Sequence, residues 1–547
     1  MKVCIAQLNY HLGNFESNFS KIKNAIIHAK EQKADLIVFS ELAICGYYPI
    51  DLLEKKTFVE NCDKYLKKII DLSNNIGIII GLPTINPSER GKKLFNSAAF
   101  IFNGELKKLV HKTLLPTYDI FDEYRHFEPN NVFELIEFNG EKIAITICED
   151  IWDEQKVYGD FGKKTIYNNN PFDILAKLNP DFVINISASP FSYNQVNNRR
   201  NVLLDKSIKY SLPILYVNQV GANTDLIFDG GSLAVNSKRQ IVLECKYFEE
   251  DIQIIDTSLF NSYLEVSGNR NRIEDIYSAL TLGIKDYFAK SGFSKAVLGL
   301  SGGIDSAVTL AIAVDALGHE NVMSILMPAK YSSDHSINDS IEMLKRTSSP
   351  YQIVNIENIR LELLNTLNEV FIGTKEDITE ENIQARIRGT ILMAFSNKFG
   401  NILLNTSNKS EFAVGYSTLY GDMNGALSIL GDVYKTDVYK LANFINEKHN
   451  NIIPQNIINK APSAELRPNQ KDEDSLPPYE ILDKILFSYI EKKLSKEEIL
   501  GFDEETVNYV IKLVNNSEFK RFQAAPILRI SSKAFGQGRK FPIVAKY

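Results

Sequence analysis

One octapeptide limits the architecture of this chain more than any other stretch: Gly299-Leu300-Ser301-Gly302-Gly303-Ile304-Asp305-Ser306. It follows the apolar run KAVL and leads into a segment rich in Ala and Val with a helical pattern. A strand that turns through glycines directly into a helix opens a parallel α/β unit. Gly302 and Gly303 let the backbone turn tightly and approach a ligand. Their amides, with those of the new helix N-terminus, point at an anion. Ser301 and Ser306 add hydroxyl donors, and Asp305 is placed to hold a magnesium ion on phosphate oxygens. The turn has no lysine of the GxxxxGK[ST] kind, so a terminal phosphate is not reached in that way. Further strands of this unit are expected at Val322–Met327, Ile353–Ile356 and Ile402–Thr406.

A chain of 547 residues exceeds the roughly 100–200 residues of one domain, so two or more are expected. The polar string EVSGNRN places a boundary at about residue 265, dividing 1–265 from 266–547. In the first part the runs VCIAQL, LIVFSE, IGIIIGLP, AFIF, IAITICED, DFVINIS and PILYVNQV read as strands buried on both faces. Ser17–Gln32 is an expected amphipathic helix, and Ala98–Val110 an expected antiparallel hairpin. Glu41, Lys112 and Cys148 each stand at or just past a strand end, where three reactive side chains can converge on one sheet edge. Taken singly, each has an ordinary reading: a solvated charge, another, and a small core thiol. Lys460–Pro478, rich in Pro, Asp, Asn and Glu, reads as a loop able to close over a substrate.

Composition removes several function classes. Basic and acidic residues number 61 and 68, a net charge of −7, which argues against nucleic acid or an anionic membrane as the main partner. MKVCIAQLNY has no secretory pattern, and no apolar run approaches the ~20 residues that span a bilayer. The five cysteines, at 4, 45, 62, 148 and 245, are odd in number and lack CxxC spacing. Neither a disulfide framework nor a zinc site is expected from them, and a reducing cytoplasm is the expected location. The seven histidines form no HxH or HExxH spacing. His111, beside Lys112, and His335 are the two to follow, neither as a metal ligand.

The full SGGIDS string between strand and helix resembles the pyrophosphate loop of ATP pyrophosphatases, which cleave ATP between its α- and β-phosphates and adenylate a substrate. Downstream, EENIQARIRG (380–389), NTSNKSE (405–411), VGYSTLYGD (414–422) and DVYKT (432–436) resemble the synthetase domain of NAD synthetases, from about residue 266 onward. The resemblance implies a doubly wound parallel-sheet domain. It implies that residues 299–306, Thr406 and Lys435 bind ATP, with Asp305 and Glu411 in the Mg²⁺ environment. It further implies that Asn382, Glu411, Tyr416, Ser417, Thr418, Leu419, Asp422 and Lys520 face deamido-NAD (nicotinate adenine dinucleotide), Lys520 closing the nucleotide site. On spacing alone Asn382, Arg386 and Arg388 read as a solvated helix face.

Glu41 in FSELAICGYYP, Lys112 in HKTLLPTY and Cys148 in ICED together resemble the nitrilase superfamily, including the glutaminase domains fused to NAD synthetases. That resemblance implies an α-β-β-α sandwich. In it Cys148 attacks a glutamine amide, Glu41 takes the thiol proton, Lys112 stabilises the oxyanion and Glu123 is a second glutamate steering the site. Tyr47, Tyr118, Glu149, Ser189 and Gln195 are the implied glutamine-binding residues. Many relatives carry a basic residue six positions after that serine, where this chain has Gln195. Arg199 and Arg200 follow it, and Arg199 is one candidate for the substrate carboxylate.

The two resemblances imply an enzyme that amidates deamido-NAD through an acyl-adenylate with ammonia drawn from glutamine. Its expected products are NAD, AMP, pyrophosphate and glutamate, and its expected form is a homo-oligomer, a dimer through the synthetase domains or larger. Other readings are an ammonia-using synthetase on an inactive nitrilase-like scaffold, a non-enzymatic nucleotide-sensing protein, and another adenylating amidotransferase such as a GMP or asparagine synthetase. The intact Glu41, Lys112 and Cys148 weigh against the first two. The last is disfavoured because Met1-Lys2-Val3-Cys4 has no N-terminal Cys and Cys148 lies in ICED, outside a GxCxG elbow.

Overall fold

The computed structural model describes residues 1–154, 165–261, 270–330, 334–463, 465–467 and 470–545. The boundary expected near residue 265 lies outside these. By its internal contacts the chain divides into Met1–Asn269 and Arg270–Tyr547.

The first unit contains two six-stranded sheets. One runs, edge to edge, Asp251–Asp256, Lys2–Gln7, Leu36–Val38, Gly77–Ile85, Leu94–Phe102, Glu105–His111. The other runs Ile241–Glu244, Leu233–Val235, Ile214–Asn218, Phe182–Ser187, Glu141–Ile147, Ile136–Phe138. The middle strands of each are parallel and the outer ones antiparallel. The two-residue period of a strand sorts the side chains into layers. Val3, Ile5, Leu36, Val38 and Ile79 meet Ile143, Ile145, Ile184, Ile186 and Leu215 between the sheets. The intervening Cys4, Ala6 and Ile37 pack on Ile22, Ala25, Ile26 and Ala29 of the helix Phe15–Glu31. On the other side Ala144, Val183 and Ile214 pack on Phe172 and Leu203 of the outer helices. The fold is therefore the expected α-β-β-α sandwich, and burial on both faces explains the unbroken apolar runs.

In the second unit five parallel strands lie in the order Tyr351–Ile353, Val322–Leu326, Ala296–Gly299, Ile402–Asn405, Leu427–Ser428. The central strand is the earliest in the chain and the sheet is wound outward in both directions, the expected doubly wound topology. One strand differs from its expected place. The sequence pattern expects Ile353–Ile356, but pairing ends at Ile353, with Val354 N still bonded to Leu326 O. Ile356 N turns onto Pro328 O, and a helix starts at Glu357. At an edge only one side of the ladder constrains the register, so apolar content alone misplaces it by a few residues. Among the described residues no helix is long and apolar enough to cross a membrane.

Candidate active sites

Cys148 directly follows the strand Glu141–Ile147 and takes φ +44° as it opens the short helical turn Cys148–Ile151. A left-handed conformation at a non-glycine residue is costly; here it turns the thiol off the end of the strand. The neighbouring parallel strand pairs Ile186 with Ile147, which brings Ala188 and Ser189 to the same edge. Glu41 lies three residues past Leu36–Val38, and Gly81 of the adjacent strand passes so close that a β-carbon there would stand 2.7 Å from Glu41 Cα and against Leu42 N. Lys112 follows Glu105–His111, its N–H donating to Asn96 O at 2.8 Å.

The side chains of Glu41, Lys112 and Glu123 are all 0% exposed. Lys112 Nζ donates to Glu41 Oε1 at 2.7 Å and to Glu123 Oε1 at 2.9 Å. Glu41 is held further by Asn96 Nδ2 (2.7 Å) and Ala188 N (3.0 Å). Glu123 accepts from the buried Tyr47 hydroxyl at 2.8 Å. One buried ammonium between two carboxylates leaves excess negative charge, and the electrostatics follow. Burial pushes the Glu123 carboxyl up to about 7, against the pull of Lys112. Burial alone would lower Lys112, but Glu123 and Glu41 outweigh it and hold the ammonium well above its ordinary range. Burial and the Glu41 charge hold the Cys148 thiol well above its ordinary value. A thiol in that state is protonated at neutral pH and needs a base to attack.

Glu149, beside the nucleophile, is buried and accepts from the hydroxyls of Tyr118 and Tyr167, each at 2.8 Å. Asp150 ties the Lys112 loop to the cysteine strand: its oxygens accept from Thr113 N, Leu114 N and Ile147 N at 2.8–3.1 Å. Ser189 is buried, its N–H on Asn218 Oδ1. Gln195 is half-buried at the start of the helix Gln195–Tyr210.

Arg199 requires a correction. As one candidate for the substrate carboxylate it is already engaged: its guanidinium is buried and forms a bidentate pair with Asp229 at 3.0 and 2.7 Å. Arg200 is likewise engaged, by Glu244 at 2.9 and 2.6 Å. Spacing identified the cations and missed the acids that already hold them.

The second unit has a cavity of about 290 Å³ at the C-terminal end of its central strand. Gly299, Leu300, Ser301, Gly303, Ile304, Asp305 and Ser306 form one wall, with Thr406, Glu411, Tyr416, Asp422 and Lys435 around it. Met327, Leu392 and Leu403 supply an apolar side suited to a flat base. Gly302, at φ +79°, stands behind the wall, where a β-carbon would lie 2.5 Å from Ser336 O. The hydroxyls of Ser301 and Ser306 brace the turn: Gly303 N donates to Ser301 Oγ, and Ser306 Oγ to Gly303 O. Lys435 Nζ bonds Asp305 at 2.5 Å and reaches Glu411 at 3.4 Å. Burial, then Asp305, pushes the Glu411 carboxyl up to about 8. Asp472 adds another acid to the wall, and its Oδ1 is buried without a hydrogen bond. Carboxylates gathered in this way suit a hard divalent cation.

The remaining predicted residues lie beside this cavity. Thr418 Oγ1 donates to Asn382 Oδ1, Thr418 N to Asp422 Oδ1, and Arg386 Nε to Leu419 O. Lys520 Nζ donates to the carbonyls of Gly415 and Ser417 at 2.8 and 2.7 Å, fixing the turn that carries Tyr416. Lys460, Ser463 and Glu465 of the predicted loop line the cavity; Ala464, Pro468 and Asn469 of that loop lie outside the described residues.

Comparison with known proteins covers both units. The carbon-nitrogen hydrolase family matches residues 2–261 and the NAD synthase family residues 276–524. A glutamine-dependent NAD(+) synthetase of Synechocystis sp. is 44% identical over 100% of this chain and 99% of its own. The Acinetobacter baylyi protein of the same name is 40% identical over 99% and 98%. The chain belongs to the glutamine-dependent NAD(+) synthetases. A solved member of that family from Acinetobacter baumannii, in complex with adenosine diphosphate, superposes with a TM-score of 0.77 at 39% identity, covering 99% of this chain and 98% of that one. One from Cytophaga hutchinsonii shares the fold, with a TM-score of 0.84 at 20% identity over 100% and 98%. Within this family frame, Asn96, Tyr167, Asp150 and Asn408 are the site neighbours that the sequence did not single out. Asn408 Nδ2 donates to Asp305 Oδ1 at 2.9 Å, and Arg388, which spacing alone puts on a solvated helix face, lines the cavity and donates to Met327 O. Asp150 sits in the ICED string itself, and its signal was adjacency to Cys148.

Proposed function

We propose that this chain amidates deamido-NAD to NAD at the expense of ATP, with ammonia it releases from glutamine. The observation that carries the reading is the convergence of Glu41, Lys112, Glu123 and Cys148 in one chain with the Gly299–Ser306 cavity. In the first unit Cys148 Sγ attacks the carboxamide carbon of glutamine while Glu41 takes the thiol proton and returns it to the departing nitrogen. Lys112 faces the oxyanion. Ammonia leaves behind a thioester, which water, deprotonated by Glu41, cleaves to glutamate. Tyr47 and Glu123 act through Lys112, and Tyr118, Glu149 and Ser189 orient the substrate.

In the second unit the amides of residues 299–306 cradle the phosphates, Thr406 and Lys435 contact ATP, and Tyr416–Leu419, Asn382 and Asp422 face deamido-NAD. The carboxylate of deamido-NAD attacks the α-phosphorus, pyrophosphate leaves, and ammonia displaces AMP from the acyl-adenylate. Asp305 and Glu411 would hold Mg²⁺, which when bound screens the phosphate charge as pyrophosphate departs. The five cysteines are free buried thiols, which suits a reducing compartment such as the cytoplasm, and the family resemblance supports a homo-oligomer.

The test is incubation of the full chain with ATP, Mg²⁺, glutamine and deamido-NAD. NAD, AMP and glutamate should form together. ADP in place of AMP would contradict the adenylate.

A further inference from the structure

The turn that presents Glu123 to Lys112 runs on into His126. That residue is only 7% exposed, and its Nε2 is buried without a hydrogen bond. An unserved buried nitrogen is costly, and its surroundings show what would satisfy it. An Asp51 carboxylate oxygen stands 3.8 Å away. Asp51 and Glu54 lie on the turn Ile50–Glu54, a few residues after Tyr47, with side chains 60% and 59% exposed. The donor atoms of His126, Asp51 and Glu54 all fall within 4.8 Å of one another.

The cation now among them is Arg125, whose Nη2 is 3.0 Å from Asp51 and 3.3 Å from Glu54. It serves the carboxylates and leaves the imidazole unserved. A borderline divalent ion serves all three, because imidazole and carboxylate are both zinc ligands whereas magnesium prefers oxygen alone. We propose that His126 Nε2, Asp51 and Glu54 form a binding site for a zinc-class divalent ion, which enters by displacing the Arg125 guanidinium. Bond lengths of about 2.0–2.2 Å place tetrahedral ligand atoms about 3.4 Å apart. The gap closes by rotation of two exposed carboxylates while the buried imidazole stays fixed. The ion would tie the Ile50–Glu54 turn to the Glu123 turn, adding to the Tyr47–Glu123 bond already present.

The experiment uses the full chain, stripped of metal by chelation, without nucleotide and with excess Mg²⁺ to occupy oxygen-only sites. Titration with Zn²⁺ followed by equilibrium dialysis should find one ion per chain. Co²⁺ in its place should give visible ligand-field bands. Asp51→Asn with Glu54→Gln alters only exposed groups, and should weaken zinc binding by more than about tenfold, the loss that even an outer-sphere contact carries. His126→Ala should lose it equally, and Arg125→Ala should bind more tightly than wild type. Absence of zinc uptake by the wild type, or uptake unchanged in the Asp51/Glu54 variant, overturns the site. Equal or weaker binding by Arg125→Ala overturns the displacement.

Discussion

Glu123 is pulled in two directions, and the balance can be tested one hydrogen bond at a time. Burial raises its carboxyl to about 7, while Lys112 and the Tyr47 hydroxyl favour the ionised form. Tyr47→Phe removes one of those donors, so the carboxylate becomes harder to form and its pKa rises further. The acid limb of glutamine hydrolysis should move to higher pH, read from glutamate release across a pH series. A limb that stays in place would remove Glu123 from the titration. Stability follows the same sign. With a folded pKa of about 7 above the ordinary 4.5, the native state holds the extra proton. Its stabilising share is complete below 4.5 and is lost as pH rises through about 7. Arg199 calls for the opposite kind of test. Arg199→Ala strands Asp229 in the core and should cost about 3–5 kcal/mol in denaturant unfolding. The KM for glutamine of the enzyme that remains folded should be unchanged. A raised KM with intact stability would restore Arg199 to the substrate carboxylate.

At the scale of strands and turns, two glycines separate the two chemistries. Gly81→Ala drives a β-carbon against the Glu41 turn, and displacement of a reacting group by about 1 Å typically costs about 100-fold in rate. Glutamine-supported synthesis should fall by that order while ammonia-supported synthesis persists. Gly302→Ala meets Ser336 O at a backbone angle of +79°, so synthesis should fall with either nitrogen source. Parallel assays with glutamine and with ammonium salt distinguish the two outcomes. Only one of these glycines could be read from the chain. Gly302 lies in a strand–turn–helix string whose local chemistry requires it. Gly81 is an ordinary residue of an apolar strand until the fold brings residue 41 alongside. The same contrast holds for the elements themselves. Strands buried on both faces were visible as apolar runs, and Cys148, Glu41 and Lys112 as side chains at their ends. The short edge strand at Tyr351–Ile353 and the Arg199–Asp229 pair depend on tertiary neighbours that no local pattern contains.

For the whole chain the question is which nitrogen reaches the adenylate. Cys148→Ala removes the nucleophile proposed to attack the glutamine amide, yet leaves the nucleotide cavity unaltered in composition. This variant should make no NAD from glutamine and nearly the wild-type amount from ammonium salt, measured as NAD formed per ATP converted to AMP. Its ammonia-supported rate should climb with pH, because the attacking species is the neutral base and its fraction grows as protons are withdrawn. Asp305→Ala should lose synthesis with both donors, since Lys435 loses the carboxylate that orients it and the proposed Mg²⁺ loses a ligand. Its release of glutamate from glutamine, chemically independent of ATP, remains the control that the first unit is folded. Equal loss of both donor activities in Cys148→Ala would mean that the thiol and the adenylate are not separate chemistries. The two-site reading of this chain would then fail at its first step.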